Sequence, residues 1–353
     1  MIQNLFFPKI ARLFSAQIKL ALCLLISVGV IACDQPDAAE ISNDSGTLIV
    51  LNKSGYTAMI IDMATREVLA ELPTGVAPHE AAVSPDGKTV IVSDYGEYDG
   101  EPGETLTVID LETREVEREI NMGEYKRPHG LAWFDDGEHL AVTAEVQQAL
   151  LVLHVPSEEV VQVIPTEQDR SHIVKLSSDN SLAFVANVDF GTMSVIDLEA
   201  GEVIALVETG EGAEGIAISP DESELWISNR YVDTVSIVDL ETYEVIETLP
   251  AGEFPIRSNF TPDGRHVLVA NMNGGDVSVF DAEERTELMR IDLEPDSDQN
   301  AGPVGMLNIP GNKLLVAGTQ TDRLYVIDLS SFEIIDHIET GDEPDGMAFI
   351  AGQ

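Results

Sequence analysis

Three of the chain's seven histidines hold one equivalent place in three successive segments. His79 follows Pro78, His129 follows Pro128 and His172 follows Ser171, each at the head of a short strand-like run. The equivalent residues farther along are Glu214, Ile256, Val304 and Asp345. Three imidazoles delivered to one centre make a facial nitrogen set for zinc, copper or iron(II), with positions open for water or substrate. Glu214 or Asp345 beside them would act as a fourth ligand, an orienting carboxylate or a general base. Arg127, Arg170 and Arg257, with Lys126 and Arg230, fall in the loops around the same centre. Basic residues are scarce, 19 Lys and Arg against 63 Asp and Glu, so a cationic mouth on this acidic body favours an anionic ligand. A wet polar channel lined by satisfied histidines and holding no metal is the other reading of these residues.

Other chemistries find no support. The chain has no phosphate loop, no dinucleotide glycine fingerprint between a strand and a helix, no G-x-S-x-G elbow and no H-E-x-x-H helix. A formal net charge of −44 argues against nucleic acid and anionic membrane surfaces, because phosphate contacts need clustered Lys and Arg. His139, His154, His266 and His337 fall at turns or on outer strands and are assigned no role.

A repeat must position these residues. Thr234–Leu240, TVSIVDL, returns with small changes at Thr105–Leu111, Thr192–Leu198 and Arg323–Leu329, and more weakly at Ala58–Met63, Leu150–Val155 and Asp276–Ala282. Its anchor is Asp62, Asp110, His154, Asp197, Asp239, Asp281 and Asp328, with successive anchors 42–48 residues apart. That period, with four strand-like runs per unit, predicts an all-β, seven-bladed β-propeller of four-stranded antiparallel blades. Turns such as Ser84-Pro85-Asp86-Gly87 and Thr261-Pro262-Asp263-Gly264 join the first two runs of a unit, Pro presetting φ and Gly accepting a positive one. Each second run ends in a small–polar pair: Ala186-Asn187, Ser228-Asn229, Ala270-Asn271, with Ser93-Asp94 and Leu51-Asn52 as variants. The repeat begins on a second-strand run at Thr47 and ends on a first-strand run at Gly346–Ile350, so the C-terminal strand should complete the first blade from the inside.

Together the turns, the VIDL strands and the small–polar pairs resemble the YVTN β-propeller repeat family over residues 47–353. The resemblance implies the fold and says little of function, since such propellers include binders, enzymes and scaffolds. It also implies structural work for the repeated Asp and Asn, as turn cap and strand end.

Two insertions stand out on the channel face. YGEYDGEPGE lies between Asp94 and Thr105, and DLEPDSDQNAGPV, with Asp296, Asp298 and Asn300, follows Ile291. Neither has EF-hand spacing; both read as acidic loops, with a lid or a hard-cation site as the alternative.

Ahead of the repeat, Lys9, Arg12 and Lys19 precede the apolar run Leu20–Ala32. This reads as a signal peptide over 1–32, too short to span a bilayer comfortably. Val30-Ile31-Ala32-Cys33 resembles a lipobox, which implies lipidation of Cys33 as an anchor, followed by a polar tether over 33–46. Asp34 resembles an inner-membrane retention signal, so the expected location is the cell envelope, on the periplasmic face of the inner membrane. Cys23 and Cys33 are the only cysteines, so the propeller holds no disulfide and no thiolate site.

Three functional expectations follow. One is a monomeric, lipid-anchored protein that captures a small ligand or an envelope partner at the channel face. The second is a metal-dependent lyase or hydrolase, lactonase-like, with the three histidines as ligands and Glu214 or Asp345 as base. The third is a copper- or haem d1-linked respiratory accessory protein; any haem would be non-covalent, because no C-x-x-C-H site exists.

Overall fold

The computed structural model describes residues Ser45–Gly352 apart from Asp296 and Asp298. The expected signal peptide, Cys33, most of the expected tether and those two aspartates therefore lie outside the described residues.

Seven four-stranded antiparallel sheets follow one another along the chain, and no helix occurs among the described residues. The first blade holds β1 (Gly46–Asn52), β2 (Thr57–Asp62) and β3 (Glu67–Pro73). The next six run from β4 (Pro78–Val83) to β7 (Glu115–Asn121), β8 (Pro128–Trp133) to β11 (Glu159–Pro165), β12 (Ser171–Leu176) to β15 (Glu202–Glu208), β16 (Ala213–Ile218) to β19 (Glu244–Pro250), β20 (Pro255–Phe260) to β23 (Thr286–Asp292) and β24 (Pro303–Ile309) to β27 (Glu333–Glu339). The last strand, β28 (Pro344–Ala351), pairs with β1 in the register Thr47↔Ile350 and Ile49↔Ala348. It is the inner strand of the first blade, the closure anticipated from the phase of the repeat.

Burial follows from blades stacked face to face. In the fifth blade β17 (Glu224–Asn229) and β18 (Thr234–Asp239) are buried on both faces, so alternation disappears and Val235, Ser236, Ile237 and Val238 are all inaccessible. The outer strand β19 keeps a mostly exposed, acidic pattern. Trp226 fills the space between the fifth and sixth blades, 5.8 Å from Phe280 and 6.2 Å from Phe260 between ring centroids.

The repeated polar residues hold the blades together. The anchor aspartates cap the third-to-fourth strand turn: Asp239 Oδ1 accepts the amides of Glu241 and Thr242, and Asp328 those of Ser330 and Ser331. Asn187, Asn229 and Asn271 do more than tolerate a strand end. Each donates Nδ2 to two side chains of the third strand, as Asn187 does to Thr192 and Ser194. Around the channel, four glycines let inner strands approach: a Cβ at Gly305 would lie 2.0 Å from Asp345 O, and one at Gly346 2.1 Å from His79 O. Gly130 and Gly215 meet the neighbouring backbone in the same way. The equivalent places in the other blades carry Glu80, Ile173 and Arg257.

Candidate functional site

All inner strands enter the channel from one face, so the residue near the head of each forms a ring there. The structure brings His79, His129, His172, Glu214, Ile256, Val304 and Asp345 together around a cavity of about 230 Å³. Lys53, Tyr95, Tyr98, Arg170, Arg230, Phe254, Arg257 and Met272 complete its wall.

The three imidazoles meet but do not converge on a point. His129 stacks on His172 with centroids 3.5 Å apart at 30°, and meets His79 edge-on at 5.2 Å. Ring nitrogens present lone pairs in the ring plane, so two stacked rings cannot aim at a common ion. The nitrogens are also engaged. His172 Nδ1 is bonded to Glu145 Oε1, and its Nε2 lies 3.4 Å from Glu214 Oε1. His79 Nδ1 donates to Ala77 O at 2.7 Å, leaving Nε2 as its acceptor. The facial three-histidine set expected for zinc, copper or iron is not shown: among the described residues no cluster of His, Cys, Asp or Glu has the geometry of a metal site.

A buried ion network stands in its place. Tyr95 donates its hydroxyl to Glu145 Oε2 at 2.6 Å, and Glu145 holds His172. Glu214 faces His172 on the other side, and receives Arg230 and, at 3.0 Å, Arg257. Arg257 continues to Glu80 Oε1 at 2.7 Å, so the network crosses the channel from the sixth blade to the second. Burial alone would lower the pKa of His172, but Glu145 and Glu214 outweigh it and raise it. His129 is held well below the usual histidine range by burial, reinforced by His172 and His79, and is neutral. His79 is also lowered, by burial against the pull of Asp345. Burial pushes Glu214 up, yet Arg230, His172 and Arg257 bring it to about 2.

These values reassign the carboxylates. A Glu214 with a pKa of about 2 is a poor proton acceptor at neutral pH, so the general-base role gives way to that of an orienting, charge-balancing group. Asp345 is 3 % exposed; its Oδ2 lies 3.6 Å from Lys53 Nζ and its Oδ1 has no partner.

The arginines divide. Arg127 spends its guanidinium on the carbonyls of Glu97 and Tyr98, 2.9 and 2.8 Å away, and stacks over Tyr95; it holds the inserted hairpin and does not line the cavity, correcting its expected role. Arg257 lines the cavity but is tied between Glu214 and Glu80. Arg170 lies over Tyr98 and 3.3 Å from the half-exposed Asp189, with Nη1 buried and unpartnered. Arg230 Nε and His129 Nδ1 are likewise buried without a partner.

Sequence reasoning missed Tyr95 and Glu145. Both stand immediately after the end pair of the second strand, where the equivalents are Lys53, Val188, Arg230, Met272 and Thr319. Aligning that position, one place beyond the small–polar pair, would have found them. The inserted segment of the second blade is a lengthened hairpin, β5 (Thr89–Gly96) against β6 (Pro102–Asp110), whose contribution to the site is Tyr95 and Tyr98 rather than its acids.

The fold and site define a seven-bladed β-propeller with a polar, cation-bearing channel face. Comparisons with known proteins agree on the architecture. Residues 202–299 match the family model described as "Lactonase, 7-bladed beta-propeller". That stretch contains Glu214 and Ile256 of the ring but none of its histidines. A search of curated proteins returned no match. Among solved structures, the hydrazine synthase of Kuenenia stuttgartiensis is similar at a TM-score of 0.67 and 18 % identity, over 78 % of this chain and 95 % of that one. The dihydro-haem d1 dehydrogenase NirN, solved with DHE, gives 0.65 and 17 % over 88 % and 76 %. A functionally unknown protein of Desulfotomaculum acetoxidans gives 0.71 and 17 % over 88 % and 100 %. At these identities the likeness is one of fold.

Proposed function

We propose that this chain is a binding propeller that takes up a small anionic ligand at its channel face. One observation carries the reading: Arg170 Nη1, Arg230 Nε and His129 Nδ1 are buried and unpartnered around one cavity. Buried polar groups without partners cost about 1–3 kcal/mol each, and an oxyanion bound by the two guanidiniums would return that cost as affinity. Tyr98 and Phe254 supply flat apolar walls beside the two guanidiniums. At about 230 Å³ the cavity is below the ~300–1,000 Å³ of pockets that enclose drug-sized molecules, which favours a compact ligand.

Envelope anchoring completes the proposal. The apolar run Leu20–Ala32 and Cys33 support an exported, lipid-anchored protein, with the channel face open to a small molecule or an envelope partner. The small–polar pairs and VIDL strands support the YVTN kind of repeat.

A second reading, a lactonase-like hydrolase or lyase, is favoured by the partial family match and by the place of Asp345, whose Oδ1 is buried without a partner, and His79, whose Nδ1 is bonded to Ala77 O, on the cavity wall. It needs no metal held by the three histidines. A haem d1 association draws only on the NirN likeness.

Calorimetric titration with small mono- and dicarboxylates is the test. Arg170→Gln should weaken the tightest of them at least tenfold while leaving the unfolding midpoint unchanged. Equal binding by Arg170→Gln would sink the proposal. Stoichiometric metal lost in a His79→Ala, His129→Ala, His172→Ala variant, or a visible absorption band, would instead favour the metalloenzyme or the haem protein.

A further inference from the structure

The channel continues past the Arg257–Glu80 bridge into a second cavity of about 320 Å³, lined by the middle and far parts of the inner strands. Two positions of the repeat are out of character there. Three residues beyond the ring, the blades carry Ala82, Ala132, Ala217, Asn259, Leu307 and Ala348, but the fourth blade carries Lys175. Two residues beyond it they carry Ala81, Leu131, Val174, Ile216, Met306 and Met347, but the sixth carries Ser258. Both line this cavity.

Neither has a partner. Ser258 is 2 % exposed and its Oγ makes no hydrogen bond. In the described residues Lys175 has no carboxylate within ion-pair distance, while Arg257 is saturated by Glu80 and Glu214. Asp345, the other acid at the cavity wall, is turned to Lys53. Lys175 is wetted by the channel yet enclosed by protein, and that enclosure lowers its pKa. It also borders a groove with Pro220, Pro262 and Asn308 that opens the cavity to solvent on the side away from the ring. Glu80, Arg257, Asn259 and Asp345 add further polar groups to the wall, and Leu131, Ile173, Met306, Met347 and Phe349 give it an apolar part.

We propose that this inner cavity is a second ligand site, for a short-chain carboxylate whose oxygens meet Lys175 Nζ and Ser258 Oγ and whose hydrocarbon part lies on the methionines and Phe349. One cation outside any ion pair and one hydroxyl donor match a single carboxylate, and the apolar part of the wall matches a short tail. The inference is independent of the ligand assigned to the channel face, because no donor of one site serves the other.

Titration of the full chain with acetate, butyrate and inorganic phosphate tests it. Butyrate should bind more tightly than acetate by about fourfold per added methylene, from ~0.8 kcal/mol per buried CH₂. Phosphate should bind more weakly than butyrate. Lys175→Met should weaken butyrate at least tenfold, Ser258→Ala about threefold to tenfold, and Lys175→Arg less than threefold. Lys88→Met, at an exposed turn that lines neither cavity, should leave this step unchanged. Butyrate binding to Lys175→Met as to wild type overturns the site, and phosphate binding more tightly than butyrate overturns the ligand class. If Lys175→Met fails to fold, the Nζ nitrogen resonance of Lys175 in the wild-type chain decides, since one unmoved by butyrate overturns the proposal.

Discussion

The two arcs of the channel face are built from the same repeat and behave differently. On one, the second to fifth blades place His79, His129, His172 and Glu214, and His172 and Glu214 are locked by Glu145, Arg230 and Arg257. On the other, the sixth and seventh blades place Ile256 and Val304, and with Ala270 they form a small apolar cluster flanked by Met272 and Phe254. The polar arc stores charge that must be balanced in place; the apolar arc only excludes water. An ion network in a low-dielectric wall holds its members rigidly because removing one leaves another uncompensated.

The largest effect should come from breaking that balance. Glu214→Leu leaves Arg230, Arg257 and His172 without their shared carboxylate, and is expected to cost about 3–5 kcal/mol in denaturant unfolding. A cost below 1 kcal/mol would show that the arc is not a coupled network.

The seam where the polar arc meets the closing strand comes next. Gly346→Ala drives a Cβ to 2.1 Å from His79 O and should cost about 1–3 kcal/mol, seen as a lowered unfolding midpoint.

Asp94 offers a gain of similar size. It stands where Asn52, Asn187, Asn229 and Asn271 stand elsewhere, and burial pushes its pKa up to about 6 despite hydrogen bonds from Thr105, Thr107 and Gly75. Its folded pKa lies above the unfolded value near 3.8, so the fold loses stability as pH rises from about 4 through 6. Asp94→Asn should stabilise by about 1–3 kcal/mol at pH 8 and by little near pH 4, in paired urea titrations.

The histidines sharpen the contrast through pH. His172, raised in the fold, contributes stability that is present below its unfolded pKa near 6.5 and is lost as pH rises through its higher folded value. His79 and His129, lowered in the fold, act the other way: their contribution is full above 6.5 and falls as pH drops below it. In His172→Gln the alkaline loss should vanish while the acid loss remains.

The smallest effect belongs to the apolar arc. Met272→Leu conserves volume and should cost less than about 1.5 kcal/mol with no change in ligand titration. A large loss of binding there would mean that both arcs recognise the ligand.

Much of this was legible in the chain. The anchor aspartates, the Pro-Asp-Gly turns and the phase of the repeat specify seven blades and their closure, because each is a local rule read seven times. The ring position also follows from register, which is why His79, His129, His172, Glu214 and Asp345 do meet. What the alignment could not contain is orientation. Whether two imidazoles converge or stack depends on how neighbouring blades rotate about the channel, and the glycines between them set that spacing. Glu145 and Tyr95, at the next position along another strand, decide where the nitrogens of His172 point. The sequence determined which residues reach the channel, since strand period and repeat phase are properties of the chain itself. Only the tertiary structure decided that they pair as ions rather than gather as ligands, since hydrogen-bond partners here come from different blades, and their approach is fixed by closure of the whole ring.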